Sequence, residues 1–130
     1  MIDLIQRRRE MMGASVPPRQ YVYIYKNMYP SNGYIDGRNS FFLYLTEYVD
    51  VGTDIHLSLT FTSMDSTISL LSVKESSASV PSITIPMPQN SIDVEFKVSK
   101  QRTNTLWCLF DKSVSGVQID TSITKVEKII

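Results

Sequence analysis

The sequence predicts an all-β fold, a single antiparallel β-sandwich of jelly-roll or immunoglobulin-like type, preceded by a short N-terminal α-helix. Two observations predict the sandwich. Apolar and polar residues alternate over much of the chain with the two-residue period of a half-buried strand. About eight or nine such segments follow one another at intervals of roughly 8–12 residues, with turn-forming residues between them. The chain has 130 residues, 42% of them hydrophobic, which suits one domain with its own core.

The N-terminal segment, residues 1–13 (MIDLIQRRREMMG), has the pattern of a short basic helix. Asp3 is a plausible N-cap, with Gln6 three residues on as in a capping box, and Gly13 is a natural stop. Its candidate partner-docking residues combine an apolar face with an arginine cluster: Leu4, Ile5, Arg7, Arg8, Arg9, Met11 and Met12.

The helix is followed by a stiff extended connector, residues 14–19 (ASVPPR). A helix of about ten residues is marginal in water, so its apolar face must dock on a sister copy, a larger partner or the end of the sandwich. A helix set off by Pro17 and Pro18 suits an anchor. The predicted division is a docking helix with its connector, residues 1–19, and a β-sandwich domain, residues 20–130.

The first half of the sandwich domain contains three predicted strands. Residues 21–25 (YVYIY) are expected to form one strand with Tyr21, Tyr23 and Tyr25 on the same face. Residues 27–39 are rich in turn signals such as Asn-Gly and Asp-Gly. Strands are expected over residues 41–51 and over residues 55–61, where the alternation indicates one buried face.

The second half contains five more. A strand is expected over residues 67–74, and residues 82–87 are expected to form an edge strand because prolines close it. Residues 92–98 alternate most clearly. Residues 106–110 (LWCLF) are apolar on both faces and predict a central strand. The last strand is expected over residues 117–124, with an extension to residue 130 left open.

The charges balance, with 13 basic and 13 acidic residues, so there is no overall field to attract nucleic acid or an anionic membrane. The three arginines at 7–9 are too few, with no aromatic residues between them, to make nucleic acid an expected partner. The first twenty residues are positive, whereas residues 39–73 contain four carboxylates and neither Lys nor Arg. This asymmetry suits contacts between neighbouring copies, or it marks two ordinary solvated faces.

The chain has one cysteine, Cys108, which excludes an intrachain disulfide and fits a protein made in a cytoplasm. Arginines interrupt the N-terminus where a signal peptide needs an apolar core. No apolar run is long enough to span a membrane.

Catalytic residues are scarce. His56, the one histidine, lies two residues from Asp54 but is expected to be an exposed strand residue, and Cys108 reads as a buried, inert thiol. One histidine and one cysteine do not supply a zinc site, and Asp50 with Asp54 provide few oxygens for calcium. We expect no enzymatic activity, no metal and no cofactor.

Seven tyrosines crowd the first 48 residues. Tyrosines on a sandwich face stack on sugar rings and occur at protein interfaces, although strand propensity alone also favours them. The candidate glycan-binding or interface face consists of Tyr21, Tyr23, Tyr25 and Tyr34.

Four stretches resemble jelly-roll virion proteins, of the head-fibre or head-decoration type, from phages and prophages of gut Bacteroidetes. They are residues 31–37 (SNGYIDG), residues 46–51 (TEYVDV), residues 109–116 (LFDKSVSG) and the opening residues 4–12 (LIQRRREMM). The resemblance implies a head-fibre, head-decoration or tail-associated protein of a virion, made in the host cytoplasm. The basic helix would then insert into a neighbouring virion protein, with the sandwich displayed outside.

Two functions follow as hypotheses. The first is a non-enzymatic virion structural protein, expected to be a homo-oligomer, which is anchored by its N-terminal helix to a capsid, fibre or tail protein. The second is a carbohydrate-binding jelly-roll module that recognises a host surface glycan.

Overall fold

A computed structural model describes residues 19–130, and the predicted helix and most of its connector lie outside these residues. Residues 19–130 form eleven strands and no helix. They are β1 (Tyr21–Tyr23), β2 (Tyr25–Tyr29), β3 (Tyr34–Ile35), β4 (Arg38–Val49), β5 (Asp54–Ser63), β6 (Leu70–Glu75), β7 (Ile83–Pro86), β8 (Ser91–Lys97), β9 (Thr103–Val114), β10 (Val117–Ile119) and β11 (Lys125–Ile129).

The strands form two antiparallel sheets. Sheet one has the order β1-β11-β5-β10-β3, with β8 also paired to β5. Strand β5 is its centre: β11 pairs with its first half, β10 with its end, and β8 with residues 54–60 along the opposite edge. Sheet two has the order β2-β4-β9-β6-β7. The predictions of β9 as a central strand and β7 as an edge strand are therefore confirmed.

The core lies between the two sheets. The Phe61 ring on sheet one and the Phe110 ring on sheet two are 6.5 Å apart, and Phe41 lies 5.8 Å from Phe110. The largest fully buried side chains come from both sheets and their connections: Phe41, Ile24, Ile35, Leu43, Ile55, Leu57, Leu59, Ile68, Leu71, Ile92, Leu106 and Ile119. The predicted all-β class with a sandwich architecture is confirmed for the described residues.

The prediction of a single strand over residues 21–25 is wrong, because the chain changes sheets at Ile24. The Ile24 amide donates to Val126 O at 2.9 Å, in sheet one, while its carbonyl accepts from Thr46 N at 2.8 Å, in sheet two. Its side chain is fully buried between the sheets. Tyr21 and Tyr23 consequently lie on β1, whereas Tyr25 begins β2.

Two further boundaries differ from the prediction. Residues 27–39 are not mainly turn, because β2 continues to Tyr29 and β4 already begins at Arg38. The last predicted strand is interrupted after Ile119, where Asp120 Oδ1 accepts hydrogen bonds from the amide and hydroxyl of Ser122. The side chain of an Asp often stabilises a turn in this way, and a separate strand, β11, follows it.

Candidate functional site

The outer face of sheet two carries aromatic side chains. Successive residues of β4 and β9 point to opposite faces of the sheet, and the residues next to the aromatic ones are buried in the core. Phe41, Leu43, Leu106 and Cys108 point into the core. The intervening positions therefore face outward and are partly exposed: Phe42, Tyr44 and Trp107. We call these three residues the aromatic strip.

The rings of the aromatic strip are nearly parallel. Phe42 and Trp107, directly opposite each other on β4 and β9, have centroids 5.8 Å apart and an interplanar angle of 6°. Phe42 and Tyr44 are 6.3 Å apart at 7°. Offset parallel rings attract each other beyond the area that they bury, so the strip is a preorganised apolar surface.

A cation lies at each end of the cross-strand row of residues that contains Trp107 and Phe42. Lys74 pairs with Trp107 across β6 and β9, and its Nζ lies 5.4 Å from the Trp107 ring centroid. On the other side, Tyr29 pairs with Phe42, and the Arg38 guanidinium lies 5.1 Å from the Tyr29 ring. Such cation–π contacts place positive charge beside the rings.

Two shallow depressions lie beside the aromatic strip. The first, of about 270 Å³, is lined by Phe42 and Trp107 together with Thr105, Ser76 and Ser77. The second, of about 330 Å³, is lined by residues of two loops and shares Ser77 with the first: Ser77, Ala78, Ser79, Val80, Lys100 and Gln101. An apolar wall therefore passes into a surface rich in hydroxyl groups.

The loop under the second depression is held by a buried carboxylate. Glu75 is fully buried and accepts hydrogen bonds from three successive backbone amides, those of Ser99 at 3.1 Å, Lys100 at 2.5 Å and Gln101 at 2.9 Å. A buried carboxylate requires such partners. This arrangement fixes the position of the loop that carries Lys100.

A second polar cluster covers the outer face of sheet one. As an imidazolium, His56 on β5 donates from Nδ1 to Glu127 Oε1 at 2.8 Å and from Nε2 to Asp93 Oδ1, and the Tyr21 ring packs edge-on against it at 5.6 Å. The expectation of an exposed His56 is wrong, because these neighbours leave its side chain 17% exposed. Its described hydrogen-bond partners are carboxylates rather than a serine. Because Asp93 lies on β8 and Glu127 on β11, the cluster links three strands.

This cluster predicts a pH-dependent stability. The hydrogen bond to Glu127, followed by that to Asp93, raises the pKa of His56 above its ordinary value; Glu95 is its direct cross-strand neighbour on β8. The charged form therefore stabilises the fold fully below about pH 6.5, the pKa of an unfolded histidine, and this contribution is lost as the pH rises through the folded pKa.

Denaturant unfolding of the wild type and the His56→Gln variant at a series of pH values measures this effect. The stability advantage of the wild type should shrink as the pH is raised above 6.5. An advantage that stays constant with pH would show that the cluster does not titrate as described.

The four tyrosines predicted to form a binding face are only partly neighbours: the Tyr23 and Tyr25 rings pack edge to face at 6.3 Å. Tyr21 and Tyr23 lie on β1. Tyr25 is half-buried, and burial raises its pKa to about 12. Tyr34 pairs with Gln118 on β10. Strand β10 pairs with the C-terminal end of β5, whereas β11 pairs with its N-terminal half. Tyr34 therefore lies apart from the other three rings.

Of the other predicted site residues, Leu4, Ile5, Arg7, Arg8, Arg9, Met11 and Met12 lie outside the described residues. Cys108 is fully buried, as predicted, and burial raises the pKa of its thiol. Asp50 pairs with Arg102 and Asp54 with Lys97, both at 3.0 Å. Within residues 19–130, no three His, Cys, Asp or Glu side chains are placed to hold a metal ion.

Sequence reasoning missed the aromatic strip, although a signal for it was present. Residues 106–110 read as apolar on both faces, which predicts a covered strand; in the structure Trp107 faces outward, and nothing in the described part of the chain covers it fully. The alternation of β4 likewise places Phe42 and Tyr44 on the face opposite to Phe41 and Leu43. The local sequence pattern does not show that β4 and β9 pair in the register that places Phe42 opposite Trp107.

Comparison with known proteins identifies no relative. No family model matches the chain, and no curated protein or solved structure matches it either. Among the described residues there is also no helix of the length and apolar character that a membrane crossing requires.

Proposed function

We propose that the protein is a non-enzymatic virion structural protein, a capsid-attached decoration or fibre component with a jelly-roll domain. The strand order supports the jelly-roll alternative. The six-stranded sheet contains the run β1-β11-β5-β8 and the five-stranded sheet contains the run β4-β9-β6-β7, which match the two four-stranded sheets of a jelly roll, with β3 and β10 added to the first and β2 to the second. An immunoglobulin-like domain would divide about seven strands into sets of four and three.

The presence of a hydrophobic core within residues 19–130 supports an anchoring role for the N-terminal segment and is the observation that carries the proposal. The buried hydrophobic cluster extends from Ile24 to Val126, and Arg19 and Gln20, at the entry to edge strand β1, are exposed. In this proposal the cluster is the core of the displayed domain, and residues 1–18 dock on another virion protein or on sister copies. The resemblance of residues 4–12 to virion proteins points the same way.

Incorporation into virus particles tests the anchor. Replacing Leu4, Ile5 and Met12 together by Asp should abolish incorporation while leaving the thermal unfolding of the sandwich unchanged, since charged residues would prevent the apolar face from docking. A matched control replaces three exposed apolar residues of the sandwich, Val51, Val80 and Ile123, by Asp and should incorporate normally. Incorporation of the first variant would contradict the proposal.

The aromatic strip favours a second candidate function, recognition of a host surface glycan. Aromatic walls beside hydroxyl groups and a cation match the apolar ring faces and polar edges of a sugar. In this candidate the contact residues are Phe42, Trp107 and Thr105 rather than the four tyrosines expected from the sequence. The two functions are compatible, because a displayed virion domain presents many copies that strengthen weak individual contacts.

A further inference from the structure

The two depressions beside the aromatic strip adjoin each other and differ in chemistry. The first has Phe42 and Trp107 as its apolar walls. The second is lined by serines and Gln101 together with two small apolar residues, and Lys100 lies at its side. Both are lined by Ser77, so a ligand of two linked rings can contact both.

Two lysines lie beside the depressions, Lys74 at the Trp107 ring and Lys100 in the lining of the second. Neither Lys74 nor Lys100 forms an ion pair with any described carboxylate. The carboxylates on the strands of sheet two have other partners: Glu47 pairs with Lys128, Glu75 accepts the amides of residues 99–101, and Asp111 accepts hydrogen bonds from Ser69 and Leu70. An anionic group bound here would therefore meet two lysines whose charge no carboxylate of residues 19–130 pairs with.

One residue that lines the first depression, Ser76, has a strained backbone conformation. Ser76 has a φ of 52° and is the one non-glycine residue in the described chain with a positive φ. This conformation is unfavourable for a residue with a Cβ atom. Its amide donates to Thr105 O at 3.0 Å, which holds the loop against β9. Strained residues of this kind cluster at ligand-binding sites.

We propose that these two depressions form one binding cleft for an acidic oligosaccharide. A pyranose ring packs against Phe42 and Trp107, its hydroxyls face Thr105, Ser76 and Ser77, and the carboxylate of the adjoining uronic acid pairs with Lys100, with Lys74 adding a second positive charge. The inference rests on the second candidate function, which it deepens by naming the class of glycan.

A single-stranded nucleic acid has aromatic and anionic groups too, but the surface suits it less well. Its binding sites are positively charged grooves that follow the backbone for several nucleotides. The chain is neutral overall, and among residues 19–130 Lys100 is the one lysine that lines the cleft, beside serine and threonine hydroxyls, while Lys74 contacts the Trp107 ring. The observations therefore favour the saccharide.

Intrinsic fluorescence measures binding at the cleft itself, because Trp107 is the single tryptophan of the chain. Titrating the full chain with an oligogalacturonic acid trimer should give a saturable change in emission. The neutral galactose trimer should bind at least about tenfold more weakly, since it offers no charge to Lys100. A thymidine oligonucleotide of similar charge should give no saturable change.

Three variants assign the contacts. Lys100→Gln should weaken binding of the acidic trimer about tenfold and leave the neutral trimer unaffected. Phe42→Leu, which keeps an apolar side chain but removes the ring, should weaken both about tenfold. The matched control is Lys125→Gln, which removes an exposed lysine of sheet one and should change neither. Unfolding midpoints of all three variants verify that the fold is intact.

Four results would overturn the inference: no saturable change with the acidic trimer, equal affinity for the neutral trimer, tighter binding of the oligonucleotide, or an equal effect of Lys100→Gln and Lys125→Gln. Saturable binding of neutral and acidic trimers alike, lost in Phe42→Leu, would retain the glycan function and remove the acidic class. Absence of binding to any saccharide would remove the glycan function itself, and the virion proposal would still stand on incorporation.

Discussion

Replacing Glu75 by alanine is expected to lower the free energy of unfolding by about 3–5 kcal/mol. The substitution removes the acceptor for three backbone amides at once, those of residues 99–101. These amides would then lack an acceptor or depend on water entering the vacated space, and either costs free energy. The vacated side-chain volume adds a further loss.

Two companion variants make this expectation sharper, and denaturant unfolding measures all three. Glu75→Gln keeps the shape and one acceptor oxygen but directs an amide N–H₂ group towards backbone donors, so an intermediate loss is expected. Glu47→Ala is the matched control, because Glu47 is a partly exposed glutamate paired with Lys128 at 2.6 Å, and surface pairs contribute about 1 kcal/mol or less. If Glu75→Ala costs no more than Glu47→Ala, the buried carboxylate does not organise the loop.

The second large effect is expected at Gly33, where alanine should destabilise the protein by about 2–5 kcal/mol. Gly33 has a φ of +73°, and a Cβ atom there would lie 2.7 Å from Ile119 O and 2.9 Å from Thr121 Cγ2. The Gly33 amide also donates to Pro30 O, and the Gly33 carbonyl accepts from the Ile119 amide. The turn therefore cannot move away without losing these hydrogen bonds.

Gly37 provides the control that separates the collision from the backbone strain. Its φ of +71° is nearly the same, but a Cβ atom there would meet nothing within 4 Å. Gly37→Ala should therefore cost only the left-handed strain, about 1–2 kcal/mol, and Gly33→Ala clearly more. Equal losses in the two variants, measured by denaturant unfolding, would mean that the close approach to Ile119 is relieved without cost.

Much of the fold could be predicted from local pattern. The alternation in β5 and β8 placed two strands correctly, the prolines that close β7 indicated an edge strand, and the apolar run in β9 indicated a central one. The change of sheet at Ile24 could not be predicted. Its cause is a pair of hydrogen bonds to Val126 and Thr46, residues that are distant in sequence.

The candidate site was harder to predict for the same reason. His56 was expected to be exposed, but Asp93 and Glu127 come from β8 and β11, which reach it only through the sheet order. Glu75 reads as an ordinary surface charge until the loop of residues 99–101 closes over it. Phe42 and Trp107 become neighbours only through the pairing of β4 with β9. Composition identified the residue types, and topology brought them together.

The most direct test of the proposed function is the solution mass of two chains, the full protein and residues 19–130, by light scattering. Because the described buried cluster runs from Ile24 to Val126, we expect the shorter chain to remain folded. We expect a defined oligomer for the full protein and a folded monomer for residues 19–130, since the N-terminal segment is proposed to be the assembly element. If the measured masses correspond to the same number of subunits for both chains, the claim that residues 1–18 assemble copies of this protein is contradicted.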